Sequence, residues 1–210
     1  MAVICLEGAS AVGKTTTSKE IAKISNTYIV PEVNLLFERP ERETKTWYLE
    51  RQVERWQIAQ EKRKEYDLII LDGDIFQPLS YNWCFDFKIF NQSLEFIYEF
   101  YQKEIKAGRI KFPDKYFYLY TSQSNLRYRR ENDKTRKRGN FEKHLEIIEP
   151  HQRYYEALNQ FAPKFVQLIE AKNTNENVKT IINNLPQHPF HGNPDVLLDH
   201  ITNWLNKNKA

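Results

Sequence analysis

Near the start of the chain, Gly8 to Thr16 read GASAVGKTT, which fits the spacing G-x-x-x-x-G-K-[ST]. Residues of these types in this order suit one task, cradling a polyphosphate. Gly8 and Gly13 permit a tight turn and a close backbone approach. The amides of Ala9, Ser10, Ala11 and Val12, and of Lys14, Thr15 and Thr16 beyond the second glycine, then face an anion. A helix opening at Lys14 adds partial positive charge, the Lys14 ammonium reaches the outer phosphate oxygens, and the Thr15 hydroxyl is a candidate Mg²⁺ ligand.

Phosphate chemistry at such a loop needs a carboxylate on the metal side. DLIILDGD supplies Asp72 directly after four apolar residues, with Asp74 two positions on. Asp72 is expected at the metal; Asp74 is expected to reach metal or substrate. A second carboxylate, Glu32, follows the apolar run in IVPEV. At the carboxyl end of a strand it would share an edge with the loop, where it can orient a hydroxyl acceptor or take its proton. LRYRRENDKTRKR, residues 126–138, concentrates seven basic side chains and only two acidic ones. It reads as a lid whose arginines neutralise a transferring phosphoryl group, or as a solvated helix face. Neither NKxD nor a DxxG after the metal strand is present, which argues against a guanine-nucleotide switch.

The elements needed to position these groups are also visible. Apolar runs at 2–7, 27–31, 67–72, 115–121 and 164–170 alternate with amphipathic stretches, as in a parallel sheet covered on both faces. Helices are expected over Lys14 to Ile24, Thr44 to Tyr66, Ser93 to Ala107 with Ser93 as cap and Gly108 as stop, and Phe141 to Phe161 with a kink or end near Pro150. Two more are expected in NTNENVKTIINNL and in a C-terminal helix over 194–206. The histidines of the preceding loop, His188 and His191, lack acidic or cysteine company and read as loop residues.

Composition sets the outer limits. A chain of 210 residues with 40% hydrophobic and 14% aromatic residues is enough for one folded domain, expected over 1–210. A net charge of +3 favours neither a nucleic-acid coat nor an acidic partner. Cys5 and Cys84 form no CxxC, so neither a disulfide framework nor a thiolate zinc site is expected. With no apolar run of membrane-spanning length and no leader pattern, the chain reads as soluble, unprocessed and cytoplasmic. The span Tyr81 to Tyr101 could be core or a partner surface, which leaves a homodimer open.

Together, GASAVGKTT, IVPEV, the spacing from Trp47 to Gln52 in WYLERQ, the strand end LDGD and the later RKR resemble the deoxynucleoside kinases, within the P-loop nucleoside and nucleotide kinases. The resemblance implies an α/β three-layer P-loop NTPase fold, with a five-stranded parallel sheet of order 2-3-1-4-5 and a helical lid at about 122–145. It implies ATP and Mg²⁺ as cofactors and a small-molecule hydroxyl acceptor, a nucleoside or deoxynucleoside. Glu32 would act as base toward a sugar hydroxyl, Gln52 would pair with a base edge, Trp47 would wall the acceptor, and Arg136 and Arg138 would serve the lid. The chain departs from the family at Gly73, where an arginine is usual, and around Phe76, Gln77 and Pro78, where an acidic base-reading residue is expected. A monophosphate acceptor, an antibiotic-like acceptor and an ATP-binding regulator therefore remain as alternatives.

Overall fold

In the computed structural model, which describes residues 1–133 and 141–210, five strands form one parallel sheet. They are β1 (Ala2–Gly8), β2 (Thr27–Val30), β3 (Leu68–Asp72), β4 (Lys115–Tyr120) and β5 (Val166–Glu170). The order is β2-β3-β1-β4-β5, as the resemblance implied. Between and after them lie α1 (Lys14–Ile24), α2 (Val33–Leu36), α3 (Trp47–Lys62), α4 (Gln77–Cys84), α5 (Leu94–Lys106), α6 (Gln123–Asn132), α7 (Phe141–Glu146), α8 (Ile148–Phe161), α9 (Thr174–Asn183) and α10 (Pro194–Lys207).

Alternation along β1 divides the core. Val3 and Cys5 point to one layer, where α3, α4, α5, α8 and α10 contribute Trp56, Leu79, Tyr101, Leu158 and Ile201. Ile4 and Leu6 point to the other, against Ile21 of α1, Leu126 of α6, Leu145 of α7 and Ile181 of α9. Both faces are covered, so the central strands carry apolar runs broken only toward their ends, where Lys115, Glu7 and Asp72 stand. In α3 the buried Leu49, Val53, Trp56 and Ala59 recur at helical spacing, which sets this helix against the sheet.

Several helix ends follow from local chemistry. The Ser93 side chain accepts from the Phe96 amide, Asn173 from Glu176, and Asn193 from Asp195 and Val196, so each satisfies donors that the first helical turn leaves open. The expected helix over Thr44 to Tyr66 is shorter, because a turn from Thr44 to Trp47 precedes α3. The expected helix over Phe141 to Phe161 is two helices divided at Ile147. Pro150 has no N–H for the Glu146 carbonyl and its ring would strike that carbonyl, so the break falls one turn upstream of the proline, which then sits in the tolerant first turn of α8. α4 was not expected; its first turn contains Pro78, which is tolerated where no intrahelical donor is required.

Candidate active site

β1 ends on the phosphate loop. Gly8 has φ +136°, and a Cβ there would lie 2.1 Å from the Leu119 carbonyl oxygen of β4, so only glycine fits where the two strands converge. Ala11 and Gly13 also take positive φ, and Gly13 caps α1. All nine residues from Gly8 to Thr16 line one large cavity of about 1730 Å³. Within it the Lys14 ammonium donates to the Gly8 carbonyl at 2.6 Å and lies 3.9 Å from Glu7. Polyphosphate oxygens would offer Lys14 stronger, charge-assisted partners than the carbonyl it now uses.

Thr15 and Asp72, the expected metal-side residues, are in direct contact. The Thr15 hydroxyl donates to Asp72 Oδ2 at 2.7 Å, and Oδ1 is buried with no hydrogen-bond partner. Burial pushes the Asp72 carboxyl up, while Lys14 and Thr15 pull it down. A hydroxyl beside a carboxylate with an unsatisfied oxygen fits Mg²⁺, which takes few protein ligands and keeps water for the rest. Among the described residues no group of three or more His, Cys, Asp or Glu is arranged to hold a metal.

Glu32 stands just beyond β2, as the N-cap of α2, on the cavity wall. Gly73 lies between it and Glu7: a Cβ on Gly73 would be 3.7 Å from Glu32 Cγ and 3.9 Å from Glu7 Oε2. The cavity therefore brings together Lys14, Thr15, Asp72 and Glu32 at the carboxyl ends of three adjacent strands.

Three expected acceptor residues sit elsewhere. Asp74 is off the cavity, 1% exposed, and accepts from the Phe76 amide and the Tyr116 and Tyr155 hydroxyls. Burial raises its carboxyl to about 6. Gln52 is wholly enclosed, and its Oε1 accepts from Arg55 Nη1 at 2.7 Å. Trp47 is buried beneath the cations of Arg39 and Arg51, each 5.7 Å from its ring centroid, while its neighbour Tyr48 lines the cavity and donates to Gln77 at 3.0 Å. Gln52 falls on the side of α3 that carries Leu49, Trp56 and Ala59, while Trp47, on another face of the helix, packs under Arg39 and Arg51. Arg136 and Arg138 lie outside the described residues.

Other groups on the cavity wall, apart from Arg129 of the basic segment, were not singled out in the sequence. Glu7, 3% exposed, accepts from the Gly8 amide at 2.8 Å and from the Asp74 amide at 2.7 Å, so it ties the loop to the end of β3. Arg55, 1% exposed, donates to the carbonyls of Pro31, Asp72 and Gly73. Its cation thus stands at the strand ends, near the position where the family usually has an arginine after the acidic residue. Nothing in ERQVERWQ distinguishes it from the exposed charges of the same helix. Arg129 of α6 also reaches the cavity, donating to the carbonyls of Val12, Ala171 and Lys172. Across from the loop, His144 meets the Tyr81 hydroxyl at 3.1 Å. Burial lowers His151 to about 4, which keeps it neutral.

A family model described as an AAA domain matches residues 3–174. No curated protein matches the sequence. Among solved structures, a deoxyadenosine kinase from M. mycoides with bound dATP is similar over 87% of this chain and 98% of that chain, with TM-score 0.55 and 17% identity. A thymidylate kinase from Candida albicans is similar over 87% of this chain and 89% of that chain, with TM-score 0.55 and 12% identity. At such identities the likeness is one of fold. The chain belongs to the AAA domain family matched over residues 3–174, with the fold of the P-loop nucleoside and nucleotide kinases.

Proposed function

We propose that the protein is an ATP-dependent phosphotransferase that moves the γ-phosphate to a hydroxyl of a small molecule, a nucleoside or deoxynucleoside. The observation that carries this reading is the single cavity in which the phosphate loop and the Thr15–Asp72 pair share a wall with Glu32. Its volume of about 1730 Å³ exceeds the roughly 300–1,000 Å³ common for one small ligand, which suits two substrates side by side. The nucleotide-bound neighbour of the same fold supports nucleotide use.

Lys14 and the loop amides hold the donor phosphates and stabilise charge as it moves. Thr15 and Asp72 hold Mg²⁺, which when bound neutralises the outer phosphate oxygens. Glu32 orients the acceptor hydroxyl and receives its proton as the new P–O bond forms and the bond to ADP breaks. Arg129, and Arg136 and Arg138 of the lid, supply further positive charge. The free thiols of Cys5 and Cys84 suit a reducing cytoplasm.

A monophosphate acceptor is the second reading, favoured by the cations Arg39 and Lys45 on the same cavity. ADP release from Mg-ATP with pooled nucleosides, and separately with pooled monophosphates, tests both. Lys14→Ala should abolish release. Glu32→Gln should lower it by roughly 100-fold or more for a hydroxyl acceptor and leave a phosphate acceptor nearly untouched. Binding of ATP with no release in either pool would leave a nucleotide-binding regulator.

A further inference from the structure

The acceptor half of the cavity contains an amide whose orientation is fixed from outside. Gln77, Pro78, Tyr81 and Asn82 share the face of α4 that lines it. The Lys45 carbonyl can only accept, and the Gln92 side chain approaches it at 2.6 Å, so Gln92 must present Nε2 there. Its Oε1 then faces Asn82 at 3.3 Å, so Asn82 must present Nδ2 to it. What remains is Asn82 Oδ1, an acceptor by construction, buried and without a partner on a residue 1% exposed. Such an atom carries a desolvation cost that a ligand donor would relieve.

Resting on the kinase reading, we propose that Asn82 determines acceptor specificity by taking a hydrogen bond from a neutral N–H on a flat heterocycle, as on the amino-bearing edge of a nucleobase. An amide oxygen repels phosphate and carboxylate, so an anion is excluded at this point. Pro78, Tyr81 and Phe90 offer flat apolar surfaces beside Asn82, with the Tyr81 and Phe90 rings 6.4 Å apart. The role given to Gln52 by resemblance thus passes to α4, because Gln52 does not line the cavity and its Oε1 is held by Arg55.

The test compares 2′-deoxyadenosine with its analogue bearing hydrogen for the 6-amino group, and 2′-deoxycytidine with its 4-deamino analogue. Each is assayed for kcat/KM by ADP release and for the shift it causes in the melting temperature. The wild-type protein should favour the amino member of at least one pair by roughly tenfold to a hundredfold. Asn82→Leu should bring that ratio close to one, mainly by raising KM for the amino compound, whereas a structural defect would weaken both members alike. Asn82→Asp, which keeps an accepting oxygen, should retain the preference. Should Asn82→Leu fail to fold, Gln92→Leu frees the amide to rotate and should reduce the ratio. Transfer with no preference in either pair, or a ratio unchanged by Asn82→Leu and by Gln92→Leu, overturns the proposal and leaves the kinase standing. Absence of transfer to every nucleoside overturns the nucleoside kinase reading; the melting shifts then decide alone, and equal shifts within both pairs overturn the role of Asn82.

Discussion

Arg55 shows how much one side chain can hold. Its guanidinium joins the end of β2, through the Pro31 carbonyl, to the end of β3, through those of Asp72 and Gly73. Glu32 follows the first of these points directly, and Asp72 is the second. Arg55→Met would retain much of the packing volume but leave three backbone carbonyls and Gln52 Oε1 without this donor. At about 1–3 kcal/mol for each buried group so stranded, a total loss of roughly 3 kcal/mol or more is expected. For a domain of this size that lowers Tm by roughly 6–12 °C. Arg55→Lys, which keeps a donor, should lose less. Calorimetric melts of the two variants check this, and a Met variant that melts with the wild type would show that the four bonds contribute little. The sequence could announce Lys14, Thr15 and Asp72, because a loop that binds phosphate constrains spacing along the chain. Arg55 and Asn82 were not legible in this way. Their roles depend on which side of a helix faces the strand ends, and a polar residue among polar neighbours carries no mark of that.

Among the elements, the strands were the most legible, since burial on both faces leaves an apolar run with almost no other explanation. Helix ends were legible where a cap announced them, as at Ser93, and less so where packing decided, as at the start of α3. The break between α7 and α8 lies between these cases. Pro150 marks that a break must occur, and the i−4 geometry places it at Glu146 and Ile147. Replacing the proline therefore has a directional outcome. Pro150→Ala restores an amide able to bond the Glu146 carbonyl, and the two helices should fuse. Hydrogen exchange would then show slow exchange at the new amide, and the contact between His144 and Tyr81 should be lost as α7 turns. Fast exchange at position 150 would mean that packing, not the proline, imposes the break.

At the scale of the whole molecule, the sheet is the common frame. β1, β3 and β2 are neighbours, and the loop, Asp72 and Glu32 follow their carboxyl ends, so the site is assembled by strand order. The convergence of Gly8 with the Leu119 carbonyl has a bearing on how the molecule fails. A loop that hung free would soften first on warming and lose its ligand while the scaffold survived. Here the loop begins where two central strands press together, so its first residue is anchored to both. On slow heating, ATP affinity and the circular dichroism of the fold should therefore disappear in one transition; binding lost well before the fold would show the loop melting by itself. A molecule that melts this way would have no mild way to wear out: the loop would keep its shape up to the melting point and lose it together with the sheet.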